Sequence, residues 1–277
     1  MPYIDTHAHY FDKRFSDLDG DADCLLSDPA FWRTARAVIN VGTNPRTNRL
    51  AVEQAACYPR MVAAVGIHPE DAQGLPDGDA LDPADELVGL AAYLSDAATR
   101  EEDKIVAIGE IGLDYHWEPM DKRLQMAFFE GQLEIARNTG LPVIIHDREA
   151  HGDCFDTVLR YPTVRGVFHG YSGSAEMARE LTRRGWYIAF GGAATFKNAT
   201  RVREVVRSVD PDFLLLETDC PYMAPVPYRG RINHSGYLPA IAAVVAPLVG
   251  MTPDELAERT TRNAETLFSL RHFIPNL

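Results

Sequence analysis

No stretch of this sequence approaches the roughly 18 consecutive apolar residues that a membrane-spanning helix needs. Its first residues are not a basic segment followed by an apolar one, so no signal peptide is predicted. The 4 cysteines are scattered without a Cys-x-x-Cys pair, which is typical of reduced thiols rather than of a disulfide framework or a zinc ribbon. We therefore expect a cytoplasmic protein that has no membrane partner.

Basic residues are also few: the 277 residues include 27 lysines and arginines against 40 aspartates and glutamates, which gives a formal net charge of −13. A protein that grips a long polyanion usually has a basic surface, and this sequence as a whole does not predict one. A bound metal or a local basic patch can still provide positive potential where a phosphate binds. The charge balance therefore leaves nucleic acid open as a substrate without supporting it.

Short aliphatic runs alternate along the chain with segments that are long enough for helices. Eight runs predict strands, at Tyr3–Asp5, Ala37–Val41, Met61–Gly66, Ile105–Gly109, Val143–Ile145, Gly166–Phe168, Tyr187–Phe190 and Phe213–Leu216. The clearest helix is predicted over Asp121–Asn138, before Gly140 and Pro142. Near-continuous apolar strands are typical of parallel sheets covered on both faces. The alternation predicts an α/β fold, a (βα)8 TIM-type barrel, with residues 1–277 as a single domain. A doubly wound open sheet is the alternative.

Histidine and carboxylate side chains follow several of these runs. His7 and His9 are two positions apart, so in an extended backbone they point to the same side. The others are His68, Glu110, His146, His169 and Asp219. Each one alone is more ordinary as a polar loop residue. In a barrel, however, the carboxyl ends of all strands meet at one face, so these groups together predict a divalent metal centre.

The kind and number of these side chains narrow the choice of cofactor. Mixed histidine and carboxylate ligands suit transition metals and are too rich in nitrogen for calcium. They outnumber the ligands that a single tetrahedral ion uses. We expect two divalent ions about 3.5–4 Å apart, bridged by one carboxylate, with zinc, manganese or magnesium as candidates. Asp219, beside the water that such ions activate, could accept its proton as a general base.

These residues, in this order, resemble the TatD family of metal-dependent hydrolases, a branch of the amidohydrolase-like barrels. The matching segments are Asp5–His9, Gly66–Pro69, Gly109–Tyr115, Val143–His146, Phe168–Gly173, Glu217–Tyr222, Pro225–Asn233 and Asn263–Phe268. The resemblance implies that two metal ions are bound by His7, His9, Glu110, His146, His169 and Asp219. It implies that Glu110 is the bridging ligand, and that His68, Arg229 and Arg231 contact the anionic group of the substrate. The implied substrate is a phosphodiester of DNA or RNA.

The expected substrate side of the site is less regular. The N–H groups of Gly170–Ser174 and the Ser172 hydroxyl could cradle a phosphate at the start of the sixth helix, or Ser174 could simply cap that helix. The pair His116-Trp117 and the additional His234 depart from the family pattern at the rim. We expect Cys220 to be a packing residue, because His7 is committed to metal.

Three functions remain open on the sequence alone. A metal-dependent nuclease or phosphodiesterase is favoured. A small-molecule hydrolase that acts on a lactone, an amide or a phosphoester is the main alternative, followed by a scaffold that has lost turnover. A positive groove at the barrel mouth would favour nucleic acid, and a closed apolar pocket would favour a small substrate.

Overall fold

A computed structural model of the protein describes residues 1–18, 21–74, 81–118 and 120–274. It contains a sheet of eight parallel strands that pair in the order of the chain. The strands are β1 Tyr3–Ala8, β2 Ala35–Val41, β3 Met61–Val65, β4 Ile105–Asp114, β5 Val143–Arg148, β6 Gly166–Phe168, β7 Tyr187–Phe190 and β8 Leu214–Leu216. All eight strands predicted from the sequence are present.

The first and last strands meet and close the sheet into a ring. A parallel bridge joins Ala8 to Cys220, where the N–H of His9 donates to the Cys220 carbonyl at 2.8 Å. The N–H of Asp219 donates to the His7 carbonyl at 2.9 Å. The predicted (βα)8 barrel is confirmed, and the doubly wound open sheet is wrong, because an open sheet would leave these two strands apart.

A buried carboxylate lies at this junction of β1 and β8. Asp5 has no exposed surface, and its oxygens accept hydrogen bonds from the N–H and the hydroxyl of Thr218 at 2.9 and 2.5 Å. The Ser235 hydroxyl donates to the same carboxylate at 2.6 Å. These bonds tie the residues after β8 to the middle of β1.

The described helices are α1 Asp21–Ser27, α2 Phe31–Thr34, α3 Pro45–Cys57, α4 Pro83–Ser95, α5 Ala97–Glu102, α6 Lys122–Thr139, α7 His151–Leu159, α8 Ala175–Arg183, α9 Thr200–Ser208, α10 Leu238–Leu248 and α11 Pro253–Phe268. The prediction of α6 is confirmed: the Asp121 side chain caps its first turn, and Gly140 ends it at φ 73°. Among the described residues, no single helix is long and apolar enough to cross a membrane, and one sharply bent pair, Ser235–Leu248 with Pro253–Phe268, meets those criteria only when taken together.

Alternation along the strands divides the core into an inner and an outer part. In β5, Val143 and Ile145 pack in a cluster with Phe129 and Leu133 of α6. Ile144, between them, belongs to another cluster that also contains Ile4 of β1. Because β1 and β5 are on opposite sides of the ring, this second cluster fills the barrel interior. The interior is therefore a packed floor beneath the carboxyl ends of the strands.

Three strands continue beyond the ends that the apolar runs predict. β1 reaches Ala8, β4 reaches Asp114 and β5 reaches Arg148. His7, Glu110 and His146 therefore lie within strands and not after them, since backbone pairing continues while the polar side chains turn into the barrel mouth.

Candidate metal centre

Glu110 is the central side chain of the barrel mouth, and only 3% of its surface is exposed. Its Oε1 lies 2.7 Å from His146 Nδ1 and 2.7 Å from His169 Nε2. Its Oε2 lies 3.3 Å from His7 Nε2 and 3.7 Å from His9 Nε2. The carboxylate thus presents one oxygen to each of two pairs of histidines.

The pair of histidines from β1 forms one side of this centre. His7 Nε2 and His9 Nε2 are 3.0 Å apart, and Asp219 Oδ1 lies 3.5 Å from His9 Nε2. The other ring nitrogen of His9, Nδ1, donates to the Val41 carbonyl at 2.6 Å. A neutral His9 ring therefore directs the lone pair of Nε2 toward His7 and Asp219, which is the orientation of a metal ligand.

The other side of the centre is organised in the same way by Asp114 of β4. Asp114 Oδ2 accepts from His146 Nε2 at 2.9 Å, so a neutral His146 ring directs an unprotonated Nδ1 at Glu110 Oε1. Two acceptors face each other there, and a cation or an added proton must lie between them. Burial alone would lower the pKa of His146, but the hydrogen bonds to Asp114 and Glu110 raise it to about 9.

Mutual electrostatics keep the carboxylates of the centre charged. Burial opposes ionisation of Glu110, but His169, His68 and His7 hold the pKa of Glu110 well below its usual range. Burial likewise opposes ionisation of Asp219, yet the hydrogen bond with His9 and the neighbouring imidazoles lower its pKa. Positive charge is thus what this cluster needs, and a divalent ion supplies it without adding protons.

The donor set fits divalent ions at more than one position. Ligand atoms lie within 4.8 Å of one another in three groups, His7–His169–Asp219, His7–His9–Glu110 and His68–Glu110–His146. These groups share His7 and Glu110, so they describe one continuous cluster of nitrogen and oxygen donors. Such a mixture suits transition metals, in agreement with the chemistry expected from the sequence.

Two cavities open beside this cluster. The larger is a cleft of about 640 Å³ that is lined mainly by Glu110 and by residues that follow β1 to β4, and the smaller is a pocket of about 310 Å³ between the ends of β5 and β8. His146, His169 and Asp219 line both of them. Asp219 is more open than Glu110, with 27% of its side chain exposed against 4%. The carboxylate that a substrate can approach is therefore Asp219.

The predicted substrate-binding residues do not all reach these cavities. His68 does: its Nε2 lies 3.5 Å from Glu110 Oε1, and it lines the cleft. Ser172 is exposed and lines the smaller pocket. Arg229 and Arg231 are exposed on the loop before α10, and neither is among the described residues that line the cleft or the pocket. The guanidinium of Arg229 instead lies 3.9 Å from the ring centre of Phe196.

The structure also gives the contacts or burial of three further residues named in the sequence analysis, Ser174, His234 and Cys220. The Ser174 hydroxyl accepts from the Met177 N–H at 3.2 Å, so Ser174 caps α8. His234 is not among the described residues that line the cleft; its Nδ1 accepts from the Gly236 N–H at 3.2 Å, and its ring is tilted against that of Tyr237 with the ring centres 3.9 Å apart. Cys220 has no exposed surface, in line with a packing role.

Sequence reasoning missed several residues that the structure brings to the mouth. Arg148 and Arg14 line the cleft, and Asp114 holds His146. The alternation of side chains along β5 is enough to predict the position of Arg148. It lies two residues beyond His146 in the same strand and so on the same face. Glu217 was not missed in this way, because it opens one of the segments that resemble the family; its Oε1 lies 3.7 Å from His169 Nδ1 and accepts from the Gly170 N–H at 2.6 Å, so it faces a histidine of the centre.

The arrangement agrees with comparisons across known proteins. The model of the family described as TatD related DNase matches residues 4–269. The chain belongs to the TatD family. Relatives of this TatD-family protein include the uncharacterized metal-dependent hydrolase YabD of Bacillus subtilis (strain 168), 38% identical over 270 residues that cover 96% of this chain and 99% of YabD.

A second relative is the uncharacterized metal-dependent hydrolase YcfH of Escherichia coli (strain K12), 34% identical, with 98% of this chain and 97% of YcfH covered. Among solved structures, the TatD homolog YjjV of Escherichia coli K12 superposes with a TM-score of 0.84 at 30% identity, covering 96% of this chain and 98% of YjjV. The prediction of a TatD-family metal-dependent hydrolase with a barrel fold is confirmed.

Proposed function

We propose that this TatD-family protein hydrolyses phosphodiester bonds of nucleic acid, and that the chain acts as a single barrel domain. The proposed ligands of two divalent ions, zinc, manganese or magnesium, are His7, His9, Glu110, His146, His169 and Asp219. The observation that carries this proposal is the position of Glu110, whose two oxygens face different pairs of histidines. The DNase description of the matching family model supports the choice of substrate.

The roles of the side chains follow from their exposure and charge. When bound, a pair of divalent ions lowers the pKa of water and stabilises charge on phosphoryl oxygens. Asp219 faces the cleft as an ionised carboxylate, so it can accept a proton from the attacking water at Oδ1. Glu110 is buried and holds the two sides of the centre together. His68, at the edge of the cluster, can donate a hydrogen bond to the phosphoryl group.

A small-molecule hydrolase remains the second candidate function, and the pocket of about 310 Å³ favours it. That pocket is the size of a small ligand and is lined by Phe190, Gly191 and Gly192 as well as by the ligands. A substrate held there would meet Asp219 without needing the larger cleft. A scaffold without turnover is not supported, because the chain belongs to a family of hydrolases.

The decisive experiment compares a generic phosphodiester, bis(p-nitrophenyl) phosphate, with labelled single-stranded DNA and RNA, and with a lactone and a carboxyl ester. Each is assayed after chelation and after addition of magnesium, manganese or zinc. We expect metal-dependent cleavage of the phosphodiesters. Hydrolysis of the lactone or the ester without any phosphodiester cleavage would favour the small-molecule alternative.

Variants of the two proposed catalytic carboxylates test the roles separately. Glu110→Gln should release metal and abolish turnover, whereas Glu176→Gln, an exposed change on α8, should leave both unchanged. Asp219→Asn should keep metal content and lower kcat by about 10²–10⁴-fold, the range for a lost general base. Loss of metal from Asp219→Asn would contradict a role of Asp219 as a base that can be separated from its role as a ligand.

A further inference from the structure

Two arginines pack on aromatic rings at the mouth of the barrel. The Arg148 guanidinium lies 5.1 Å from the ring centre of Trp117, and the Arg14 guanidinium lies 4.4 Å from the ring centre of Tyr222. All four side chains line the 640 Å³ cleft together with His9, Glu110 and other residues of the metal centre. The cleft therefore has cationic and aromatic groups beside its reactive end.

The order of the strands places these two pairs on opposite sides of the mouth. Trp117 follows β4 and Arg148 ends β5, while Arg14 follows β1 and Tyr222 follows β8. In a closed ring of eight strands, the neighbours β8 and β1 lie across from the neighbours β4 and β5. A chain of phosphates that crosses the metal centre between them would meet one arginine on each side.

The positive charges of Arg14 and Arg148 are available for a ligand. The arginine ion pairs among the described residues involve Arg137, Arg160, Arg179, Arg183, Arg184, Arg259 and Arg271. Acidic neighbours in the cleft are partly engaged: Asp12 accepts from the Tyr222 hydroxyl at 2.6 Å, and Asp71 accepts from the Asn44 amide at 2.7 Å. The lining of the cleft also holds five carboxylates, Asp12, Glu70, Asp71, Glu110 and Asp219, so the two arginines are the lining groups that can meet a phosphate with permanent positive charge.

Trp117 is unlike the other tryptophans of the protein. Its exposed fraction is 51%, whereas Trp186 is 2% exposed and the Trp32 indole N–H donates to the Leu26 carbonyl. Arg148 lies over this indole and the His116 ring meets it edge to face with ring centres 4.7 Å apart, yet half of the indole surface stays in water beside the cleft and can contact a ligand. Bases of a single strand stack on such aromatic surfaces, and those of a duplex are already stacked on each other.

We propose that Trp117 stacks on a nucleobase of single-stranded nucleic acid, while Arg148 and Arg14 bind phosphates on the two sides of the metal centre. This inference rests on the proposed function and extends it to the residues that position the strand. Arg148 both holds the indole from one side and faces the cleft, so base and phosphate would be bound by adjacent groups. Trp117 acts here as a binding residue, remote from the proton transfer assigned to Asp219.

The test measures binding by the metal-loaded protein, without turnover. A fluorescently labelled oligothymidylate with phosphorothioate linkages is titrated, and its anisotropy gives Kd. We expect Trp117→Ala to raise Kd about tenfold, Trp117→Phe to raise it less than about threefold, and the matched control Trp32→Phe to leave it unchanged. The unlabelled oligothymidylate should quench the tryptophan fluorescence of the wild type, and an abasic oligonucleotide of equal length should not.

Three results of these measurements would contradict the stacking role of Trp117. An unchanged Kd for Trp117→Ala, equal quenching by the abasic oligonucleotide, or equal affinity for duplex and single-stranded DNA would overturn the inference. If those results occur while bis(p-nitrophenyl) phosphate is still cleaved, the proposed function stands and only the stacking role fails. If binding depends on Trp117 but no phosphodiester is cleaved, the proposed function fails and the stacking role stands.

Discussion

Asp114 shows how one buried carboxylate can prepare a ligand. Its side chain has no exposed surface, and it accepts a hydrogen bond from His146 Nε2 at 2.9 Å. The bond leaves Nδ1 directed at Glu110, where we propose that a metal ion binds. Partners of this kind fix the tautomer and the orientation of a histidine ligand.

Replacing Asp114 by asparagine should therefore weaken metal binding. We expect Asp114→Asn to lower metal affinity about 10–100-fold, as is typical when the partner of a histidine ligand is lost. Competition with a chromogenic chelator measures that affinity directly. The matched change Asp153→Asn, at an exposed residue of α7 that accepts from the Tyr115 hydroxyl, should not alter it. Equal affinity in both variants would contradict the role of Asp114.

A site residue could be predicted from the sequence where its position within a strand determines the direction of its side chain. Alternation within a strand relates His7 to His9, and the same rule relates Glu110 to Asp114 and His146 to Arg148. For Arg229 and Arg231, the resemblance to the family is the only basis for predicting contact with the substrate. They lie in a loop, where no period tells which way a long flexible side chain points.

Among the elements, β4 depends on a glycine that leaves room for β5. Gly112 has φ +136°, and a Cβ atom there would lie 2.0 Å from the His146 carbonyl oxygen. The two strands could not keep their pairing around such an atom. His146 would move with its backbone, so this close approach also sets the position of a proposed ligand.

We expect Gly112→Ala to lower the free energy of unfolding by about 2 kcal/mol or more, because it combines backbone strain with steric overlap. Gly89 provides the control: it lies in α4 with nothing within 4 Å of the position of its Cβ. Gly89→Ala should raise stability by about 0.5–1 kcal/mol, since it removes a flexible residue from a helix interior. Urea denaturation followed by circular dichroism measures the free energy of unfolding of both variants. Similar changes in that free energy would contradict the role of Gly112 in the packing of β4 against β5.

Strand cores and helix stops could be read from the sequence, but strand ends could not. The apolar runs of β1, β4 and β5 end where the side chains become polar, and those polar side chains still belong to paired backbone. Where a strand ends depends on its hydrogen bonds to the neighbouring strands of the barrel. A local run of apolar residues carries no information about those bonds. Gly140, by contrast, ends α6 by its own backbone conformation.

On the scale of the whole barrel, the junction between β1 and β8 depends on Asp5. Removing one of the hydrogen-bond donors to the Asp5 carboxylate should weaken the contact that closes the barrel between β1 and β8. We expect Thr218→Val to destabilise the protein by about 1–3 kcal/mol, because the buried Asp5 Oδ2 loses one of its two hydroxyl donors, the Thr218 hydroxyl at 2.5 Å, and keeps only that of Ser235. The control Thr182→Val removes a hydroxyl that donates within α8, to the Arg179 carbonyl at 3.1 Å, and should change stability by less than about 1 kcal/mol. Thermal unfolding after removal of metal by a chelator measures the stability of both variants. Equal losses of stability would argue against a special role for the junction of β1 and β8.

The ring order also divides the proposed ligands between two halves of the chain. β1 to β4 carry His7 and Glu110, with His9 directly after β1, whereas His146 comes from β5 and His169 and Asp219 follow β6 and β8. A cut in the long connection between β4 and β5 would leave neither fragment with a complete centre. Metal uptake by a mixture of the two fragments would consequently report that the halves had reassembled, which makes the ion a built-in indicator for split-protein complementation.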